Sequence, residues 1–333
     1  MENNRSISLR RKQTGTAMHE NFKDGVLYFT FPGFEREKGF LHACSSRIGG
    51  VSEGVLAQMN LSFTRGDDPE RVRENYRRIA AAVGFDTDSM VFSYQTHTVN
   101  VRVVTEEDCG KGFARKRDYT DVDGLVTNVP GLVLTTFYAD CVPLFFIDPV
   151  HRAVGLSHSG WRGTVNDIAG VTVRTMQEQY GTEPSEILAA IGPSICQDCY
   201  EVSEDVIEEF RAHYPKELWP DLFERQDLYR NRTAGSSPKE GCGQEPHCPA
   251  DGQTEKPHLS GDPAKKPYPA GDPAKYQLGL WEACRRNMLR AGILPEHIEV
   301  TDLCTCCNPD VLFSHRASNG KRGNLAAFLG VRR

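Results

Sequence analysis

Apolar positions along the chain follow two periods. Val72, Tyr76, Ile79, Ala80 and Val83 recur every three or four residues, behind an Asp68-Pro69 start and ahead of Gly84. That spacing predicts an amphipathic helix with an aspartate N-cap, proline at the first helical position and a glycine stop. Val165, Ile168, Ala169, Thr172, Val173 and Met176 predict a second helix ended by Gly181. Ser203-Glu204-Asp205, before Val206 to Phe210, opens a third, and residues 278–294 read as a fourth that ends near Gly292. Between these lie apolar runs of strand length at 132–137, 142–147, 153–156 and 187–191, with Val99, Val101 and Val103 in alternation. Strands alternating with helices predict an α/β protein with mixed sheets.

Two stretches depart from this pattern. Residues 1–25 are polar and are expected to form a flexible tail. From Thr233 to Lys275 the chain carries eight prolines and six glycines in 43 residues, and GDPAK occurs twice, ten residues apart. Such a composition buries too little apolar surface to offset its ordering entropy, so a disordered surface insertion is expected there. The remainder, 26–333, reads as one catalytic domain interrupted by that insertion. A net charge of −6 gives no electrostatic reason to expect nucleic acid as a partner. No apolar run reaches 18 residues and no signal-peptide core is present, so the expectation is a cytoplasmic protein without a membrane partner.

Candidate chemistry gathers in three segments. Ser157–Thr164, SHSGWRGT, puts His158 and Arg162 where a strand turns into a helix, and a helix start offers unpaired N–H groups to an anion. QTHTVNV holds His97 in the alternating run, and YADCVPLFFIDP sets Asp140 and Cys141 between two strands. Two imidazoles and a thiolate suit zinc with a fourth position left open. The spacing is looser than in CxxC or HExxH, so a Cys141–His158 nucleophile pair in a hydrolase and a non-catalytic binding protein stay open at this point. Trp161 reads as a packing residue. Among eleven cysteines, Cys196 and Cys199 form a CxxC and Cys304, Cys306 and Cys307 cluster near the end. A structural metal site is conceivable there, but small apolar side chains packed near the pocket are the favoured reading. Cys242 and His247 with Cys248, within the insertion, offer metal-binding donors too, but in so flexible a segment the non-ligating reading is favoured.

The motifs QTHTV, ADCVPLFFIDP, HSGWRGT, IGPSICQDCYEV and CTCCNPDVLFSHRA, in that order, resemble the YfiH/YlmD family of laccase-domain proteins, as does the earlier SSRIGGVSEG…MNLSFTRGDDPERVRENYRR. The resemblance runs from about Leu41 to Phe328. It implies a layered α/β/β/α fold and a zinc enzyme of purine nucleosides, with phosphorolysis of adenosine, inosine, guanosine and methylthioadenosine and deamination of adenosine. The family's zinc ligands match His97, Cys141 and His158, and copper is a possible occupant in vitro. Asp140 then becomes a candidate acid or orienter of a ligand histidine, and Arg47, Asn60, Arg162 and Arg316 candidates for holding nucleoside and phosphate. No obligate protein partner is evident. A peptidoglycan-precursor hydrolase and a polyphenol oxidase are the competing roles within the resemblance. A multicopper oxidase would need His-x-His pairs, and none of the ten histidines is so paired. Two departures stand out: Leu278-Gly279-Leu280 replaces an Asp-Leu pair, and Lys321-Arg322-Gly323-Asn324 replaces a Gly-Arg.

Overall fold

A computed structural model describes residues 8–13, 15–229 and 274–333. Fifteen strands are described: β1 (His19–Lys23), β2 (Val26–Thr30), β3 (Phe40–Ser45), β4 (Met90–Phe92), β5 (Val101–Val103), β6 (Gly124–Thr127), β7 (Val133–Tyr138), β8 (Val142–Asp148), β9 (Ala153–Ser159), β10 (Leu188–Ile191), β11 (Glu201–Ser203), β12 (Phe223–Arg225), β13 (Lys275–Leu278), β14 (Ile298–Val300) and β15 (Leu325–Val331). One six-stranded sheet runs β1-β2-β3-β15-β7-β4, a second runs β14-β10-β8-β9-β6-β5, and β11-β13-β12 form a small third. Most pairings are antiparallel, whereas β4–β7, β5–β6 and β10–β14 are parallel, so the large sheets are mixed.

The period of two along the central strands explains why the sheets stack. On β8, Phe145 and Ile147 enter a cluster with Phe29, Leu134 and Leu329 of the first sheet and with Phe31, directly after β2. Leu144 and Phe146, on the opposite face, join Ile168, Val173, Phe210 and Met288 from helices. On β15, Leu325, Ala327 and Leu329 face the second sheet, while Ala326 and Phe328 pack with Tyr76 and Ile79. Both strands are apolar on both faces because each is buried on both faces. Helix α1 (Pro69–Val83) covers the outside of the first sheet, and α3 (Ile168–Tyr180), α4 (Glu204–His213) and α5 (Leu280–Arg290) cover the outside of the second. The result is a layered α/β/β/α fold. Among the described residues no helix is long and apolar enough to cross a membrane.

Local chemistry sets the helix ends. The Asp68 carboxylate accepts the Glu70 N–H at 2.9 Å, and Gly84 closes α1 in the left-handed conformation at φ 94°. The helix expected from Val165 is broken into α2 (Trp161–Val165) and α3, because Asp167 turns left-handed at φ 61° and caps α3 through Gly170. Helix α3 lies so close on β9 that a Cβ at Gly155 would stand 2.9 Å from Thr172 and 3.0 Å from Met176. The helix expected over 278–294 begins only at Leu280, since Leu278 pairs with Phe223 as the last residue of β13.

The tail expected over residues 1–25 is tied into the fold well ahead of β1: the Lys12 N–H donates to the Asp302 carbonyl at 2.8 Å, Arg11 and Thr16 bridge to Leu303 and Thr301, Met18 is buried and His19–Lys23 pair with β2. Four of the five residues of β1 are polar and the strand lies exposed at the sheet edge, which hides the strand signal. The insertion expected at 233–275 lies outside the described residues except for Ala274 and Lys275, the latter opening β13.

Phe145 is fully buried against Phe31 and Phe34, at ring separations of 5.6 and 6.4 Å. Phe145→Ala is therefore expected to lower the unfolding free energy by about 3–5 kcal/mol in urea denaturation. A loss below about 1 kcal/mol would show that the two sheets do not pack through this ring.

Candidate metal centre and its pocket

Three segments of the chain meet at one end of the second sheet. Cys141 precedes β8 and His158 lies near the end of the antiparallel β9, where His158 pairs with Pro143, so the two arrive at the same edge. His97 joins them from the loop before β5; it is not in a strand, because its backbone is left-handed at φ 67°. The donor atoms of His97, Cys141 and His158 all lie within 4.8 Å of one another, with Cys141 Sγ 3.9 Å from His97 Nε2. In a tetrahedral site with metal–nitrogen and metal–sulfur bonds of about 2.0–2.3 Å, such donors stand about 3.3–3.8 Å apart. The set fits a metal ion with small side-chain movements. Gly160 makes the approach possible, since a Cβ there would stand 2.9 Å from the His97 ring and 3.3 Å from Cys141 Sγ.

Asp123, just before β6, holds the arrangement together. Its carboxylate, buried completely, accepts the backbone N–H groups of Thr96, His97 and Thr98 at 3.0, 3.1 and 2.9 Å. It also accepts the Thr98 hydroxyl at 2.9 Å and pairs with His158 Nδ1 at 2.8 Å. One carboxylate thus folds the His97 loop and turns His158 Nε2 toward Cys141. Burial alone would raise the Cys141 pKa, but the His158 charge and hydrogen bonds from His158 and His97 outweigh it and bring the thiol down to about 6. Burial would likewise lower His158, yet the Cys141 thiolate and Asp123 push it up to about 9. Both shifts favour a charged thiolate, the form that binds metal or acts as a nucleophile.

The three donors open onto a cavity of about 540 Å³. Arg65, Arg73, Arg117 and Arg322 line it, together with Phe63, Phe92, Tyr94, Phe113 and Phe137. Arg117 stacks on Tyr94 at 4.6 Å, and Arg73 lies over Phe63 and Phe113. Arg322 is the most constrained: its Nε is buried without a hydrogen-bond partner, and burial beside the Arg65 charge pulls its pKa down to about 10.

The other residues expected at the site make contacts of their own beside it. The Asp140 carboxylate accepts the Thr305 hydroxyl and the Arg316 N–H, both at 2.7 Å, and touches no histidine; the orienting role expected of it is played by Asp123. Arg47 is spent on the carbonyls of Ala57 and Pro309 and lies over Phe313. Asn60 is buried among Ser62, Asp67 and Asn324. Arg162 lies over Trp161 at 4.3 Å, and Arg316 donates to the Glu201 carbonyl and lies over Tyr200. None of these four lines the cavity, so the anion seat expected at the His158–Gly163 turn lies outside it. Sequence reasoning missed Asp123 and the arginines. The signal for Asp123 was an acidic residue directly ahead of an apolar strand; for Arg322 it was the displaced arginine of the departing C-terminal motif.

A family model described as multi-copper polyphenol oxidoreductase laccase matches residues 41–233 and 252–332. Purine nucleoside phosphorylase YlmD of Bacillus subtilis (strain 168) is 33% identical over 302 residues, 90% of this chain and 91% of that protein. Adenosine deaminase RL5, from an unknown prokaryotic organism, is 40% identical over 158 residues, 47% of this chain and 60% of that protein. The crystal structure of the hypothetical protein YfiH of Bacillus licheniformis superposes with a TM-score of 0.73 at 28% identity, covering 93% of this chain and 97% of that one.

Replacing Asp123 by Asn keeps the shape but removes the charge that five donors share. Metal affinity is expected to fall about 10–100-fold in competition titration with a chelator. An unchanged affinity would mean that His97 and His158 hold their places without it. The domain layering, the matched motifs along nearly the whole chain and the superposition agree: this chain belongs to the laccase-domain YfiH/YlmD family.

Proposed function

We propose that the protein is a zinc-dependent purine nucleoside phosphorylase of the cytoplasm, acting on adenosine, inosine, guanosine and methylthioadenosine, with adenosine deaminase activity in the same pocket. The carrying observation is a three-donor site that opens onto a cavity walled by four arginines and five aromatic rings. Names of the relatives support it at the level of nucleoside phosphorolysis and deamination. His97, Cys141 and His158 would hold the zinc, which would serve as a Lewis acid or water-activating centre.

The residues of the chain supply the rest. Arg322, with an unsatisfied buried Nε, and Arg65 beside it would bind phosphate through charge-assisted hydrogen bonds, strengthened by partial exclusion of water. Tyr94, Phe113 and Phe137 would stack on or enclose the purine. Arg117, fixed by its stack on Tyr94 and its bond to the Ser93 carbonyl, would orient the ribose or the anion. Held together, the phosphate and the nucleoside would react at C1′ with the base as leaving group. Deamination requires no phosphate and would draw on the metal side of the pocket only.

One observation favours a second reading. Cys141, His158 and Asp123 stand in the order of a nucleophile, base and orienting carboxylate, with the thiol depressed to about 6. That geometry would suit a metal-free hydrolase, such as one editing peptidoglycan precursors. Alkylation of Cys141 in metal-free protein would abolish such an activity, and zinc would inhibit it.

Arg322→Ala is expected to raise the KM for phosphate by about 10–150-fold, the loss of one charge-assisted contact of about 1.5–3 kcal/mol, while deamination of adenosine changes far less. Steady-state kinetics at varied phosphate check this. Full phosphorolysis at limiting phosphate would remove Arg322 from the anion site. Cys141→Ala is expected to lose the metal and both activities together.

A further inference from the structure

A second cluster of sulfur lies apart from the pocket. Strands β10 and β14 run parallel and adjacent, so the loops that follow them leave the sheet side by side. Each loop carries a C-x-x-C: Cys196 and Cys199 after β10, Cys304 and Cys307 after β14. Ser194 and Cys304 bridge the loops, and the Thr305 N–H donates to the Ser194 carbonyl at 3.1 Å. All four Sγ atoms lie within 4.8 Å of one another, with Cys199–Cys307 at 3.5 Å and Cys196–Cys307 at 4.0 Å. A tetrahedron of sulfurs around an ion at about 2.3 Å has edges of about 3.8 Å, so the cluster already approximates one.

From two C-x-x-C loops that bring four sulfurs to tetrahedral spacing, we infer that the protein holds a second, structural zinc ion on Cys196, Cys199, Cys304 and Cys307. The polar surroundings match bound thiolates. The N–H groups of Cys196 and Cys307 both donate to Cys304 Sγ, at 3.3 and 3.4 Å, a use of backbone donors that a neutral packed thiol does not need. Lys12, paired with Asp198 at 2.7 Å, sets a positive charge beside Cys196 and Cys307. Cys306, between the two ligands of its loop, is not part of the group. A closed four-sulfur site uses all four thiolates and leaves no open position for substrate.

The site would brace the metal pocket from behind. The Ile195 N–H donates to the Asp140 carbonyl at 3.0 Å, and the Thr305 hydroxyl donates to the Asp140 carboxylate. Asp140, left-handed at φ 88°, is the residue that delivers Cys141 to β8. Fixing both cysteine loops to one ion therefore fixes the turn that presents Cys141. The packing reading of these cysteines gives way to a ligating one.

Metal analysis of the full-length protein tests this. Purified under reducing conditions, the wild type is expected to carry about two zinc ions per chain and a His97→Ala/Cys141→Ala variant about one, with X-ray absorption showing four sulfurs at about 2.3 Å. Cys199→Ser/Cys307→Ser should lose one ion and melt at lower temperature, and Cys306→Ser should keep both. If the Cys199/Cys307 variant does not fold, the His97/Cys141 variant still decides. A His97→Ala/Cys141→Ala protein that folds and holds no zinc, or an intact mass showing a disulfide among the four cysteines, would overturn the inference.

Discussion

A single buried carboxylate carries the site. Asp123 sits in the interior with no water-exposed surface and stays charged, which is costly unless donors surround it. Burial acts to raise its pKa, but the His158 hydrogen bond and charge and the backbone N–H groups of Thr96 and Thr98 hold it below the ordinary value. The donors that satisfy it are the site itself: a loop forced into a left-handed turn at His97, and an imidazole whose remaining nitrogen faces Cys141. The sheet supplies the third partner, since β8 and β9 run antiparallel and end at the same edge. Geometry and charge balance are therefore one requirement, since the same carboxylate holds both the His97 loop and the His158 ring.

Charge elsewhere is arranged locally. The chain has a net charge of −6, yet four arginines line one cavity and one of them lacks a partner for a buried N–H. Net charge described the whole surface and hid this concentration. Acidic partners neutralise arginines outside the cavity, such as Arg11 with Glu20 and Asp302, or Arg211 with Glu204 and Glu208. Of those that line the cavity, Arg117 instead lies over Tyr94, which keeps it in place without cancelling its charge, while Arg73 lies over Phe63 and pairs with Glu70 at 3.7 Å.

Much of the fold was legible because its signals are local. The stripe of Val72, Tyr76 and Ile79 with Asp68 and Gly84 set α1 nearly residue for residue, and the apolar runs before Tyr138 and Asp148 marked β7 and β8. Edge strand β1 escaped notice because it is mostly polar and exposed on both faces, and the helix over 278–294 started too early because Leu278 is apolar for a strand's reason. At the site, His97, Cys141 and His158 were legible through their chemistry and their motifs, and the structure brings their donors together. Asp123 is 35 residues from His158 and announces itself by no spacing, only by what it must neutralise. The expected anion binders Arg47, Asn60, Arg162 and Arg316 make other contacts in the structure: an arginine in a motif can serve carbonyls, as Arg47 does, and sequence does not distinguish that from a ligand contact.

The claim that the arginine-walled pocket joins phosphate to a purine nucleoside is tested most directly by its products. Zinc-loaded protein would be incubated with adenosine, inosine, guanosine and methylthioadenosine, each with and without phosphate, and the mixtures separated by chromatography. The expected result is free base and the sugar 1-phosphate only where phosphate is present, with inosine formed from adenosine in either condition. Nucleosides recovered unchanged in the presence of phosphate, from protein shown to contain its metal, would contradict the account.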